Sequence, residues 1–502
     1  MEDYESPAKI IDDIRKLELC KTVYEFFAML YHIANKHQIH LINRYRMDDN
    51  SYEPELSKLE VIQNGNNFTF YDDILDFING IETTGDAVSL LIALIYKMDI
   101  FMSGISEHAA AAGLNKRYKS LPEKKKRLQN PYYYVPIKIP YYKETYMIAP
   151  YIEPVYFQWI NPKRKLERDS CYLSQTIDHC FFEYHTIVKS NPVVKFVNED
   201  RHKSRELKRF YRTLRPIEST GTLTIALASH DSGFSCAIET WKTGTSYSFK
   251  VTGIVEPDDN KRKNSIESMM FEALTYNVDI LIFPEMVIDS YSLSVIMEWL
   301  KNNNKAAAIK LVAAGSFHCM EDGKHSNKSI MLGFSGNVLW EQRKLHKFAI
   351  KSTEMKEPMQ EFLNIYEQVD VYEAIDVVEH SLNFIDTPIG RMATMICVDY
   401  LQTTIHSVFN QIKCGFLWIP VMTATIKKFE KLSDDPYSDP CKILSAVCAG
   451  QSMCGTPHST RGDKSFLRVP VKYYHLRKSV RSKGIEKGKT GLKIYDIRKM
   501  VE

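Results

Sequence analysis

The chain has 502 residues, more than a single ordinary hydrophobic core organises, so two or three domains are expected. Apolar residues make up 44% and charged residues 25%, a soluble globular balance. The net charge of +3 gives no overall argument for a nucleic-acid or membrane partner, and ten scattered cysteines speak for free thiols in a reducing compartment.

The first residues, Met1-Glu2-Asp3-Tyr4-Glu5, are acidic, and no apolar core follows a basic start. No signal peptide is read there, and a cytoplasmic location is expected. Residues 1 to about 130 are mainly helical in pattern: Ile10, Ile11, Ile14 and Leu17 recur at helical spacing, as do Tyr24, Phe27, Ala28 and Tyr31. Phe70-Tyr71-Asp72-Asp73 has the paired aspartates of polymerases, but too little chain precedes it for a palm domain. A helix cap at Asp72 or Asp73, with Asn79-Gly80 ending the helix, is the preferred reading. The apolar run at 87–105 is broken by Lys97 and Asp99, well short of the ~20 residues of a membrane span, and predicts a buried helix.

Residues 131–160 are rich in tyrosine and proline and predict short strands and extended connections. Basic clusters flank them at 116–119, 124–127 and 163–165. Aromatic and basic residues so interleaved bind single-stranded nucleic acid in some proteins; the plainer alternative is a packing layer with solvated loops. The basic segment 201–215 predicts a helix, and Pro216 with Glu218-Ser219-Thr220-Gly221 predicts a linker, which places a domain boundary between 215 and 222.

Beyond Thr222, strands alternate with helices. Strands are predicted at 223–228, 279–283, 309–314, 415–419 and 466–471, and hairpins around Thr243-Gly244 and Ser335-Gly336-Asn337. Asn264 with Glu267 predicts a capping box. Helices are expected at 402–412 and 441–453, and residues 476–502 form a basic tail. The alternation gives an α/β layered sandwich.

Three apolar strands in this half end in chemically useful side chains. Ile280-Leu281-Ile282-Phe283-Pro284 delivers Glu285; Val338-Leu339-Trp340-Glu341-Gln342-Arg343 delivers Lys344; residues 390–396 deliver Cys397, with Asp399 beyond. If these ends meet, a carboxylate takes the thiol proton and an ammonium stabilises thiolate and oxyanion, so that attack on an amide gives a thioester.

Residues 222–475 resemble the nitrilase (carbon–nitrogen hydrolase) superfamily. The resemblance rests on Phe283-Pro284-Glu285, on Gln342-Arg343-Lys344-Leu345-His346, and on Gly390-Arg391 through Ile396-Cys397-Val398-Asp399, separated by 59 (344 − 285) and 53 (397 − 344) positions. Ala314-Gly315-Ser316 and Ser335-Gly336-Asn337 also match. It implies an α-β-β-α sandwich that pairs into a dimer or larger homo-oligomer, and a cysteine-dependent amidohydrolase with Glu285, Lys344 and Cys397 as catalytic residues. It also implies a second glutamate after the lysine. Glu354 is nearest the usual spacing, and Glu357 and Glu361 compete with it.

Val398 replaces the usual aromatic residue and Lys347 the usual apolar one, while Asp399 in place of Glu fits amidase-like branches better than nitrile hydrolases. Residues 421–425 are expected to line the cleft for a small amide or nitrile. Acyl transfer to an amine remains open beside hydrolysis. The alternative reading is a nitrilase-like effector or scaffold whose residues 1–215, of unrecognised function, bind a partner or nucleic acid. No cofactor or metal is expected: Cys441, Cys448, Cys454 and His458 read as packing, as do His179, Cys180 and His185, and no membrane contact is expected.

Overall fold

The computed structural model describes residues 7–46, 62–64, 67–69, 83–103, 136–152, 154–158, 177, 182, 185–189, 194–197, 205–230, 235–255, 258–355, 360, 363–377, 381–422, 428–429, 432, 446–452, 465–469, 478–481 and 490–501. The chain divides into two compact units. The first holds residues 1–151, 165–191 and 408–413; the second holds 152–164, 192–407 and 414–502. The polymerase-like aspartates, the three basic clusters, Glu357, Glu361, His179, Cys180, Cys441, Cys454 and His458 lie outside the described residues.

In the first unit, helices α1 (Pro7–Arg15), α2 (Val23–Lys36) and α3 (Gln38–Arg46) all pack against α4 (Thr84–Ser103). The helical spacing read at the start of the chain buries Ile10, Ile14 and Leu17. Thr22 and Glu25 form a reciprocal capping box that satisfies the first N–H groups of α2. Most of α4 is buried, and its Asp99 is bonded to His185 at 2.8 Å. Among the described residues, no helix is long and apolar enough to cross a membrane. The tyrosine-rich segment contributes β1 (Pro136–Lys138) and β2 (Thr145–Pro150), which form an antiparallel sheet with β3 (His185–Lys189).

The second unit begins with β4 (Val194–Phe196) and α5 (Arg205–Thr220). The linker expected at 216–221 is the last turn of α5, and Pro216 lies inside the helix. Leu207, Phe210, Tyr211, Leu214 and Ile217 are buried at 3–4-residue intervals, and their burial offsets the ~3 kcal/mol an interior proline costs. The boundary expected at 215–222 therefore falls within continuous helix and strand of one unit.

A six-stranded sheet is built from β5 (Thr224–His230), β8 (Ile280–Ile282), β9 (Leu311–Glu321), β10 (Lys324–Gly333) and β11 (Val338–Arg343), with β20 (Thr490–Asp496) antiparallel beside β5. A seven-stranded sheet comprises β4, β14 (Leu382–Thr387), β15 (Gly390–Thr394), β16 (Phe416–Met422), β17 (Ala446–Ser452), β18 (Ser465–Val469) and β19 (Lys478–Arg481). One core joins the two sheets: Ile225, Ile280, Leu311 and Met331 pack with Ile385, Met392, Phe416 and Trp418. The other face of the six-stranded sheet is covered by α6 (Asp259–Thr275) and α7 (Ser290–Asn303), through Ile266, Met270, Ile296 and Trp299. This is the mixed α/β sandwich that the alternation of elements predicts.

A four-stranded accessory sheet, order β12-β13-β7-β6, is built from β6 (Ser235–Thr243), β7 (Ser246–Val255), β12 (Ala349–Ile350) and β13 (Val371–Glu373).

Three local expectations are corrected. Helix α6 starts earlier than Asn264, because the Asp258 side chain accepts from the N–H groups of Asn260 and Lys261. Residues 446–452 are a strand rather than part of a helix: periodicity does not distinguish a short apolar run, and parallel pairing with β16 decides it. The basic end is not simply a tail, since β19 pairs with β18, β20 completes the six-stranded sheet, and Ile497 is buried.

Candidate active site

Glu285 is placed by a backbone clasp. Strand β8 continues into Phe283, whose N–H donates to Ala313 O at 2.8 Å, and the Met286 N–H donates to Ser316 O at 2.7 Å. Between these points β9 is irregular, and Gly315 adopts φ +64° with its α-carbon against Pro284. A Cβ on Gly315 would overlap the Pro284 carbonyl oxygen. Gly315→Ala is therefore expected to cost more than about 2 kcal/mol, read as a lower urea midpoint, and to misplace Glu285.

Lys344 follows directly on β11, its N–H donating to Asn327 O at 2.8 Å. Its side chain is 2% exposed, and its ammonium lies 3.1 Å from Glu285 Oε1 and 2.8 Å from Glu373 Oε2. Burial alone would lower the lysine pKa, but the carboxylates of Glu285 and Glu373 outweigh it and hold the pKa well above the ordinary value. Gln342, just before, braces the turn by donating to Ser381 O at 2.9 Å and accepting from the Asn383 N–H at 2.9 Å.

Cys397 stands at a corner. Strand β15 stops at Thr394, short of the cysteine, and Cys397 takes φ +48° at the start of a single 3-10 turn, Cys397–Leu401. A left-handed non-glycine residue costs ~1–2 kcal/mol, and here it turns the thiol out of the strand direction. The motif arginine before it is structural: Arg391 and Asp386 form a fully buried pair, with Nε–Oδ1 at 2.5 Å and Nη2–Oδ2 at 3.0 Å.

The thiol sits 4.0 Å from Met422 O, and the Met422 N–H donates to Glu285 Oε2 at 2.9 Å, so the end of β16 bridges thiol and carboxylate. Burial and then the Glu285 charge push the Cys397 pKa well above its usual value, against the pull of Lys344. A thiol held this way rests protonated at neutral pH, and Glu285 shares the Met422 backbone with it. Alkylation of Cys397 by iodoacetamide, followed by peptide mass spectrometry, is expected to keep rising from pH 7 to pH 10. An ion-paired thiolate would instead level off near neutrality.

The second glutamate beside the lysine is Glu373. Glu354 lies in the exposed turn Ser352–Glu354, whereas Glu373 is 1% exposed and arrives on β13 of the accessory sheet. Glu373 Oε1 accepts from His318 Nε2 at 2.8 Å and Asn327 Nδ2 at 3.0 Å, and Oε2 accepts from the Phe348 N–H at 2.9 Å. Burial opposes its ionisation, but Lys344 and then His318 more than compensate and hold it well below the usual carboxylate range. Asn327 also donates to Glu285 Oε1 at 2.9 Å, so one amide spans both acids.

Reading along the sequence missed Glu373, Asn327 and His318. One signal was present: Val371, Glu373 and Ile375 alternate along the chain and are all buried, which sets a carboxylate in an otherwise apolar face.

Asp399 ties the turn that carries Cys397 to the loop after Lys344. Its carboxylate accepts from the N–H groups of Leu345 at 3.0 Å and His346 at 2.8 Å, with the His346 ring at 3.1 Å. Of the expected cleft residues, Val421 is buried and Met422 half-buried, and 423–425 lie outside the described residues. Among the described residues, no group of three or more His, Cys, Asp or Glu side chains has metal-binding geometry.

No family model and no curated protein matches this chain. Solved structures similar to it include an amidase from Nesterenkonia sp., at 11% identity over 55% of this chain and 89% of that one, TM-score 0.34. A variant of that amidase in complex with acrylamide is similar at 11% identity, over 55% and 90%, TM-score 0.35. Saccharomyces cerevisiae Nit3, a member of branch 10 of the nitrilase superfamily, is similar at 14% identity over 46% of this chain and 76% of that one, TM-score 0.29. These neighbours belong to the superfamily that the motifs resemble, and each covers only about half of this chain. Likeness at this level assigns no residue a role; the chemistry rests on the distances above.

Proposed function

We propose that this protein is a cysteine-dependent carbon–nitrogen hydrolase that opens an amide through a thioester on Cys397. The observation that carries the reading is one buried ammonium, Lys344, held by two buried carboxylates, Glu285 and Glu373, beside a protonated buried thiol. Glu285 takes the thiol proton as Sγ attacks the carbonyl carbon, and Lys344 stabilises the oxyanion that forms. Collapse breaks the C–N bond, and the amine leaves with the proton Glu285 holds. Water then attacks the thioester, giving its proton back through Glu285, and releases a carboxylic acid and the thiol. An amine in place of water gives acyl transfer by the same steps.

Within this proposal the substrate is an amide rather than a nitrile, in keeping with Asp399, which stands where nitrile hydrolases of the resembled superfamily carry Glu. The test is mass spectrometry of the intact protein after incubation with a pool of small amides. An acyl mass increment on the peptide containing Cys397 is expected. An unmodified Cys397 after exposure to amides, nitriles and activated esters would rule the reading out.

A further inference from the structure

Resting on that reading, we infer that His318 is a positioning residue which sets Glu373 for the reaction, and that the accessory sheet fixes the histidine's tautomer. His318 lies on β9 directly opposite Asn327 on β10, so both point to the face of the sheet where Glu373 sits. The backbone N–H of Val251, in β7 of the accessory sheet, donates to His318 Nδ1 at 2.8 Å. A nitrogen that accepts carries no proton, so the proton is on Nε2, which donates to Glu373 Oε1 at 2.8 Å. The ring is 6% exposed at its side chain, and Phe249 of the same β7 packs near it, centroids 6.4 Å apart.

The accessory sheet therefore acts twice on one carboxylate. It carries Glu373 on β13, and through Val251 it orients the imidazole that holds Glu373 Oε1. With Oε1 held by His318 and Asn327, Oε2 is left facing Lys344 at 2.8 Å, and the ammonium stays poised between Glu373 and Glu285. Without the imidazole donor Oε1 keeps only the Asn327 amide, and the carboxylate shifts toward the Phe348 N–H and Lys344 that hold Oε2, drawing Lys344 away from the thiol side.

Two substitutions separate this role from mere packing. The terminal amide of Gln reaches the place of Nε2 and restores the donor to Glu373; the shorter Asn amide reaches the place of Nδ1 and keeps only the partner of Val251. His318→Gln is expected to retain kcat within about fivefold, whereas His318→Asn loses about 10- to 100-fold in kcat with little change in KM. The pH profile of Cys397 alkylation gives a second readout that does not depend on turnover. It moves to higher pH in His318→Asn, because Lys344 then supports the thiolate less, and stays in place in His318→Gln. Equal kcat and equal alkylation profiles in the two variants, or a His318→Gln variant as impaired as His318→Asn, would overturn the assignment. If the wild type acylates on no substrate, the proposed function fails, and the alkylation profiles still decide the role of His318.

Discussion

Cys397→Ala is expected to abolish turnover on every amide the wild type accepts, by at least ~10⁴-fold, with no acyl adduct left on the protein. The loss is of chemistry and not of fold. Alanine keeps the Cβ and deletes only the one sulfur at a position 7% exposed, and the corner is fixed by backbone contacts such as the Met395 N–H to Trp418 O at 2.9 Å. A melting curve within a few degrees of wild type is the companion result. Turnover that survives the substitution would mean that the thiol is not the nucleophile and that the Glu285–Lys344–Glu373 cluster serves some other end.

Lys344→Met is expected to damage both stability and activity. The ammonium bonds Glu285 at 3.1 Å and Glu373 at 2.8 Å, and its removal leaves two buried carboxylates without their shared cation. Breaking one such pair costs ~3–5 kcal/mol, and two acids share this partner. The deficit depends on pH with a definite sign. In the wild type the Glu373 pKa lies below its ordinary 4.5, so its contribution is present above about that pH and is lost as the pH falls. In the variant, burial acts without the cation and raises the carboxylate pKa, so stability is lost as the pH rises. The gap between wild type and variant therefore widens from pH 4 to pH 7, which urea unfolding at several pH values measures. A gap that stayed constant would show that the lysine acts by packing alone. Loss of kcat by about 10²–10³-fold is the kinetic counterpart, since Lys344 is the proposed donor to the oxyanion.

The three motif residues were legible because each follows an apolar run in the chain, and a strand end is a local property. Ile280-Leu281-Ile282 is buried as β8, and Glu285 follows it; Arg343 ends β11, and Lys344 follows. The alternation of strands and helices after Thr222 likewise carried the layered α/β reading. Errors arose where a local rule competed with packing. Pro216 reads as a helix breaker, but five buried side chains of α5 hold the helix through it. Residues 446–452 read as a helix, and pairing with β16 made them a strand. Asn264 reads as a cap, and Asp258 reached the first N–H groups instead.

By itself, the sequence determined which chemistry-bearing residues follow apolar strands: Glu285, Lys344 and Cys397 each come within a few residues of a strand end. Only the tertiary structure decided which acid joins them. Glu354 lies ten positions after Lys344 (354 − 344) and turns to solvent, while Glu373, 29 positions after it (373 − 344), is carried in by a strand of a separate sheet. Spacing along a chain describes reach only within one element. A carboxylate brought across a sheet interface is set by strand pairing, by His318 and Asn327 on two paired strands of the other sheet, and by the energy of pairing a buried charge, none of which is local.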